Sequence, residues 1–106
     1  MEINKEFIKN RISQIRTSKN ISARSLSLDL GMSSEYINQI ENGRLNPSLD
    51  FLLNFCQYFK ISIGEFFNEN NAFPVEYKEL IIELNKLNQT EFKQILNIVK
   101  LITSKK

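Results

Sequence analysis

Apolar residues recur at helical spacing along most of the chain, and no convincing strand pattern interrupts them. Phe7, Ile8, Ile12 and Ile15 predict a first amphipathic helix over residues 5–18. Ser22 can cap a second helix that carries Leu26, Leu28 and Leu30 and stops at Gly31, the residue type most tolerant of a positive φ. Ser33 is expected to cap a third helix with Tyr36, Ile37 and Ile40 as apolar contacts, ended by Asn42-Gly43. Asn46-Pro47 reads as extended, because a residue before proline avoids the α region. Ser48 then caps a fourth helix with the apolar set Phe51, Leu52, Phe55, Cys56 and Phe59. Ser62-Ile-Gly-Glu65 is a capping-box pattern and opens a short fifth helix ending near Phe67.

The polar run Asn68-Glu-Asn-Asn-Ala72 breaks this series and reads as a linker. Pro74 is placed to start a sixth helix running to about Leu87. Asn88-Gln-Thr-Glu91 resembles another capping box and opens a seventh helix that ends before Ser104. The expected organisation is a helical domain over 1–67, a linker over 68–74 and a helical hairpin over 75–106. The fold class is all-α.

Hydrophobic residues make up 42% of the chain and charged residues 25%, which is globular rather than disordered composition. Net charge is only +2, so charge alone does not announce nucleic acid. Its distribution says more: Lys9, Arg11, Arg16, Lys19 and Arg24 fall between Phe7 and Leu28 with no acid among them. That stretch reads either as a phosphate-facing patch or as solvated helix surface. The single Cys56 cannot form an internal disulfide, and inside an apolar run it reads as a core thiol suited to a reducing compartment. With neither a signal-peptide pattern nor an 18-residue apolar run, the expectation is a cytoplasmic protein with no membrane partner. Without His there is no imidazole acid–base group, and neither metal-ligand spacing nor a Gly-rich phosphate loop occurs, so an enzyme and a cofactor are not expected.

The informative stretch is residues 22–42, where two short helices meet at a Gly-containing turn. Ser27 is small where the second helix must approach the third closely, and the outward positions Ser34, Glu35, Asn38 and Gln39 are all polar. A third helix of about nine residues would span roughly 13 Å, suited to a major groove. Residues 11–67 resemble the Cro/C1-type (XRE-like) helix-turn-helix family of transcriptional regulators. The resemblance rests on Leu-Gly-Met-Ser33, Tyr36-Ile37, Gln39-Ile-Glu-Asn-Gly43, Asn46-Pro-Ser-Leu49 and Ile61-Ser-Ile-Gly-Glu-Phe-Phe67. It implies a five-helix, lambda-repressor-like DNA-binding domain followed by the C-terminal helical hairpin.

It also implies site roles. Ser34, Glu35 and Gln39 align with base-reading positions, and Asn38 shares their outer face or is plain helix surface. Asn42, Gly43 and Arg44 match a loop whose amides and basic side chain hold phosphate. Arg16 and Glu41 match a structural ion pair between the first and third helices, which assigns Arg16 to the fold rather than to DNA. Ala23 stands where the family commonly has a phosphate-touching glutamine; Arg24 beside it either substitutes or is solvated. Ser27 replaces the usual alanine and can back-bond to the carbonyl of Ala23. Glu35 either reads a base or favours the positive end of the helix dipole. Tyr36 reads as packing rather than base stacking.

In the hairpin, Tyr77, Leu80, Ile81, Leu84 and Leu87 form one stripe. The seventh helix carries Phe92, Ile95, Leu96, Ile98, Val99, Leu101 and Ile102, spread over roughly 220° of its circumference, more than one packing face requires. Two readings follow: an isologous homodimer through Leu84, Leu87, Phe92, Ile95, Ile98, Leu101 and Ile102, or a hairpin folded back on the first and fifth helices. The expected function is a dimeric repressor that occupies operator sites on double-stranded DNA. The rival is a protein-interaction module or antitoxin that keeps the helix-turn-helix shape, with a small protein antagonist as the partner of the hairpin.

Overall fold

The computed structural model describes residues 4–106. Among them lie seven helices and no strand: α1 Lys5–Ser18, α2 Ala23–Asp29, α3 Tyr36–Glu41, α4 Leu49–Phe59, α5 Ile63–Phe67, α6 Pro74–Leu84 and α7 Gln89–Thr103. The chain divides into two compact units, one reaching Val75 and one from Glu76 to Lys106. This is the all-α arrangement anticipated, a five-helix, lambda-repressor-like domain with C-terminal helices.

Most helix starts are fixed locally. Asn4, Ser22, Ser48 and Ser62 each accept the backbone N–H three residues ahead, satisfying a first-turn donor. At Ser62 the capping box is complete, with Glu65 Oε1 accepting the Ser62 N–H at 2.7 Å. Asn88 and Glu91 form the second capping box at the start of α7.

The third helix departs from expectation. It is six residues long rather than nine, about 9 Å of axis. Residues 33–35 form a turn ahead of it, in which the Ser33 carbonyl accepts the Tyr36 N–H at 3.1 Å, and Glu35 occupies the N-cap without a side-chain cap bond. The sixth helix likewise stops at Leu84 instead of Leu87.

The core of the first unit gathers the predicted stripes: Ile12 and Ile15 of α1, Leu26 of α2, Ile37 and Ile40 of α3, and the apolar set of α4 are all buried. A run of aromatic contacts crosses it, from Tyr36 to Phe51 (4.8 Å between centroids), Phe55 (6.3 Å), Phe66 (5.8 Å), Phe67 (5.0 Å) and Phe7 (6.2 Å). Tyr36 is therefore a packing residue at the edge of this core, as the sequence suggested. Cys56 is buried in the same cluster, where desolvation and then the nearby Glu65 charge push its thiol up to about 11.

The segment read as a linker is tied down. Arg11 is 7% exposed and donates to the carbonyls of Phe66 (2.7 Å), Asn68 (2.5 Å) and Asn71 (2.7 Å). Pro74 is fully buried and Val75 belongs to the core cluster. Residues 68–75 thus belong to the first unit.

In the second unit no residue of α7 is buried. Its apolar side chains, Phe92 through Ile102, keep between 39% and 59% of their surface exposed. Leu84, Leu87 and Phe92 line one cleft at the turn between α6 and α7. Among the described residues no helix is long and apolar enough to cross a membrane.

Candidate functional site

The second and third helices are joined by backbone geometry that only Gly31 makes inexpensive. Gly31 takes φ +75°, its N–H bonds to the Leu28 carbonyl at 3.0 Å, and the Met32 N–H reaches the Ser27 carbonyl at 2.9 Å. These two bonds constitute the Schellman ending of α2 and turn the chain sharply into α3.

Ser27 holds the two helices in register. Its hydroxyl donates to the Ala23 carbonyl at 2.7 Å, the back-bond the sequence allowed. The same oxygen accepts the Ile37 N–H at 3.0 Å. Ile37 is the second residue of α3, so its N–H is one of the four orphan donors of that helix. The cap for α3 therefore comes from α2, not from Ser33.

With Ile37 and Ile40 buried, Asn38 is exposed and Gln39 half-buried, so both belong to the outer part of α3. Ser34 (half-buried) and Glu35 (exposed) precede the helix, in the turn and at its N-cap. Glu35 stands at the positive end of the α3 dipole, and its carbonyl accepts the Gln39 N–H at 2.9 Å. Arg24, in the first turn of α2, is exposed.

A second Schellman ending closes α3. Gly43 takes φ +81°, the Gly43 N–H bonds to Ile40 (3.1 Å), and the Arg44 N–H bonds to the Gln39 carbonyl (2.9 Å). The Asn42 N–H is also engaged, by the Asn38 carbonyl at 3.0 Å. The three amides that the resemblance assigns to phosphate thus already donate within the chain. What remains outward at this loop is the exposed Arg44 side chain and the Asn42 side chain, whose Oδ1 lies 3.3 Å from the Arg44 N–H. The Gln39–Arg44 backbone bond fixes the basic loop relative to the outer face of α3.

Arg16 and Glu41 meet as expected. Arg16 Nε donates to Glu41 Oε2 at 2.7 Å, a second guanidinium N–H donates to Oε1 at 2.9 Å, and a third reaches the Ile21 carbonyl at 2.8 Å. The bidentate bond to Glu41 raises the Arg16 pKa, partly opposed by burial. Of the five basic residues between Phe7 and Leu28, Arg11 and Arg16 are consequently structural. Lys9 pairs with Glu6 at 3.0 Å.

The sequence reading placed Lys9 and Arg11 in a basic stretch, phosphate-facing or solvated, and missed what each of them meets; Arg11 is neither, being buried. Lys5 and Lys9 share a cleft with Gly43 and Asn46, which brings the start of α1 to the basic loop; a contact between such distant positions has no local signal. Arg11 had a signal, since it lies four residues from both Phe7 and Ile15 and so shares their buried face.

The helix-turn-helix family model matches residues 12–66, more than half of the chain. No curated protein matches it. Among solved structures, a chain of the SinR protein/SinI protein complex is similar, with 25% identity and a TM-score of 0.56, over 92% of this chain and 98% of that one.

Proposed function

Because the chain belongs to the Cro/C1-type helix-turn-helix family of DNA-binding regulators, we propose that it is a sequence-specific repressor acting as a homodimer by operator occupancy. The observation that carries this reading is the outer part of α3. Asn38 and Gln39 are polar there, backed by buried Ile37 and Ile40, and Arg44 is tied to the same helix end. Gln and Asn can each pair bidentately with adenine N6/N7, whereas Arg44 supplies a phosphate contact that positions without reading sequence. Ser34 and Glu35, at the start of α3, supply the remaining base-edge candidates, and Arg24 and Asn42 the remaining phosphate ones. On this reading the protein works in the cytoplasm and acts by binding rather than by catalysis.

The dimer follows from two physical arguments. A six-residue recognition helix contacts too few bases for operator specificity, and a two-fold dimer doubles the site. The second unit, 31 residues from Glu76 to Lys106, is too small to stabilise itself while α7 stays exposed. A second copy burying Leu84, Leu87, Phe92, Ile95, Ile98, Leu101 and Ile102 supplies the missing core.

A second reading is favoured by the roughly 220° spread of apolar residues on α7, wider than one isologous face. The similar solved structure is a complex of two proteins, SinR and SinI. On that likeness a small protein antagonist could compete for the same helices.

The test is selection of preferred sites from random double-stranded DNA at near-physiological salt. Enrichment of an inverted repeat, with half-sites about 34 Å apart, is the expected result. Enrichment of a single short site would retain DNA reading and remove the dimer. Folded protein that enriched nothing would leave the protein-interaction reading.

A further inference from the structure

We infer that Arg11 is a positioning residue for operator recognition: by latching residues 66–71 to α1 it fixes where α6 leaves the DNA-binding unit, and so sets the half-site spacing the protein accepts. This rests on the dimeric reading given above.

The three carbonyls that Arg11 engages lie at the end of α5 and along the five residues that follow it. A guanidinium offers a rigid planar fork of donors, so three bonds at 2.5–2.7 Å constrain this backbone in direction as well as distance. Its carbon also lies 5.1 Å from the centroid of the Phe7 ring, which stacks in turn on Phe67. Asn68-Glu-Asn-Asn71 would otherwise be a polar, compliant segment with little apolar surface to hold it. Two residues beyond the last latched carbonyl, Phe73 leads into buried Pro74 and Val75, the first turn of α6. From Glu76 onward that helix belongs to the second unit.

A dimer joined through its second units gains affinity from both half-sites only if the connection presents the two reading helices at the right separation. A held connection makes the protein selective for spacing; a slack one binds many spacings, each more weakly. Arg11 removes the slack over residues 66–71, and buried Pro74 and Val75 then seat the first turn of α6. Arg11 acts through backbone carbonyls and lies outside the proposed DNA contacts, so its loss should spare the reading of a single half-site.

The experiment uses the full chain and its Arg11→Lys variant, which keeps the charge but loses the fork. Affinity is measured for the selected operator, for operators with the spacer lengthened or shortened in single base pairs, and for one isolated half-site. The expected result is half-site affinity within about twofold of the parent, dimerisation unchanged, and a loss of about tenfold at the optimal spacing with a flattened spacing profile. A folded Arg11→Lys protein with the parental profile overturns the inference alone. A parent protein with no spacing preference overturns both the inference and the dimeric reading. If Arg11→Lys does not fold, insertion of two glycines between Asn71 and Ala72 releases the connection beyond the latch with Arg11 intact. That insertion should flatten the profile, and a parental profile in the inserted protein overturns the inference.

Discussion

The Ser27 hydroxyl lies 3.0 Å from the Ile37 backbone nitrogen and 2.7 Å from the Ala23 carbonyl, accepting from one helix while donating within its own. Both side chains are fully buried and so is the bond between the two residues, so water cannot replace it. Ser27→Ala is expected to cost about 1–2 kcal/mol by leaving a buried N–H unsatisfied. Urea unfolding would measure it, and an unchanged midpoint would remove Ser27 as the cap of α3. Sequence preference should weaken in parallel, because the first turn of α3 carries the proposed reading face.

Arg16→Ala should destabilise the first unit by about 3 kcal/mol, because it strands the half-buried Glu41 carboxylate. The double variant Arg16→Met with Glu41→Leu should recover most of the loss. Thermal unfolding of both decides the matter: a single variant as stable as the parent would refute a structural role for the pair.

Gln39 and Arg44 separate reading from holding. Gln39→Ala should cost about 1–3 kcal/mol on the preferred site and relax one base position, while Arg44→Ala should weaken all sequences alike. The salt dependence of binding should flatten by about one counterion for Arg44→Ala and stay unchanged for Gln39→Ala. Unaltered sequence preference in Gln39→Ala would mean that α3 is not the reading helix.

Ile98 is 53% exposed on α7, so a charge there disturbs little within the protomer. In the proposed dimer the same charge would be buried without a partner. Ile98→Glu should sediment as a monomer and lose the advantage of paired half-sites while keeping single half-site binding. A variant that remains dimeric with parental affinity would exclude this face.

Cys56 gives an alkaline signature. Burial favours the neutral thiol and lifts its pKa from 9.0 to about 11, so the unfolded chain releases this proton first. The contribution is fully present below pH 9 and is lost as pH rises towards 11. Tyr58, held neutral by its hydrogen bond to Asp29, adds the same sign. Cys56→Ala should start less stable but decline less steeply over that range in urea unfolding. Equal slopes would show that the thiol does not titrate on unfolding.

Local chemistry made most of the fold legible. Ser22, Ser48, Ser62 and Asn88 cap their helices through bonds that close within three residues, so each donor and acceptor can be read side by side. The buried stripes of α1 and α4 follow from period alone. The family pattern added the Arg16–Glu41 pair, 25 residues apart, which periodicity by itself could not have joined.

Tertiary structure decided what closes over longer distances. Which side chain caps α3 depended on Ser27 arriving from α2, and the helix begins only at Tyr36, after the turn over residues 33–35. The amides at Asn42, Gly43 and Arg44 became intramolecular donors once α3 ended in its Schellman turn, moving the outward chemistry of that loop to side chains. Arg11 reached carbonyls 55 to 60 residues away, at the end of α5 and in the segment beyond it, where no continuing helix supplies their donors. A sequence displays which groups can donate and accept. Which of them meet is settled when packed helices bring their ends together, because an unpaired polar group inside that packing costs more than the constraint of pairing it.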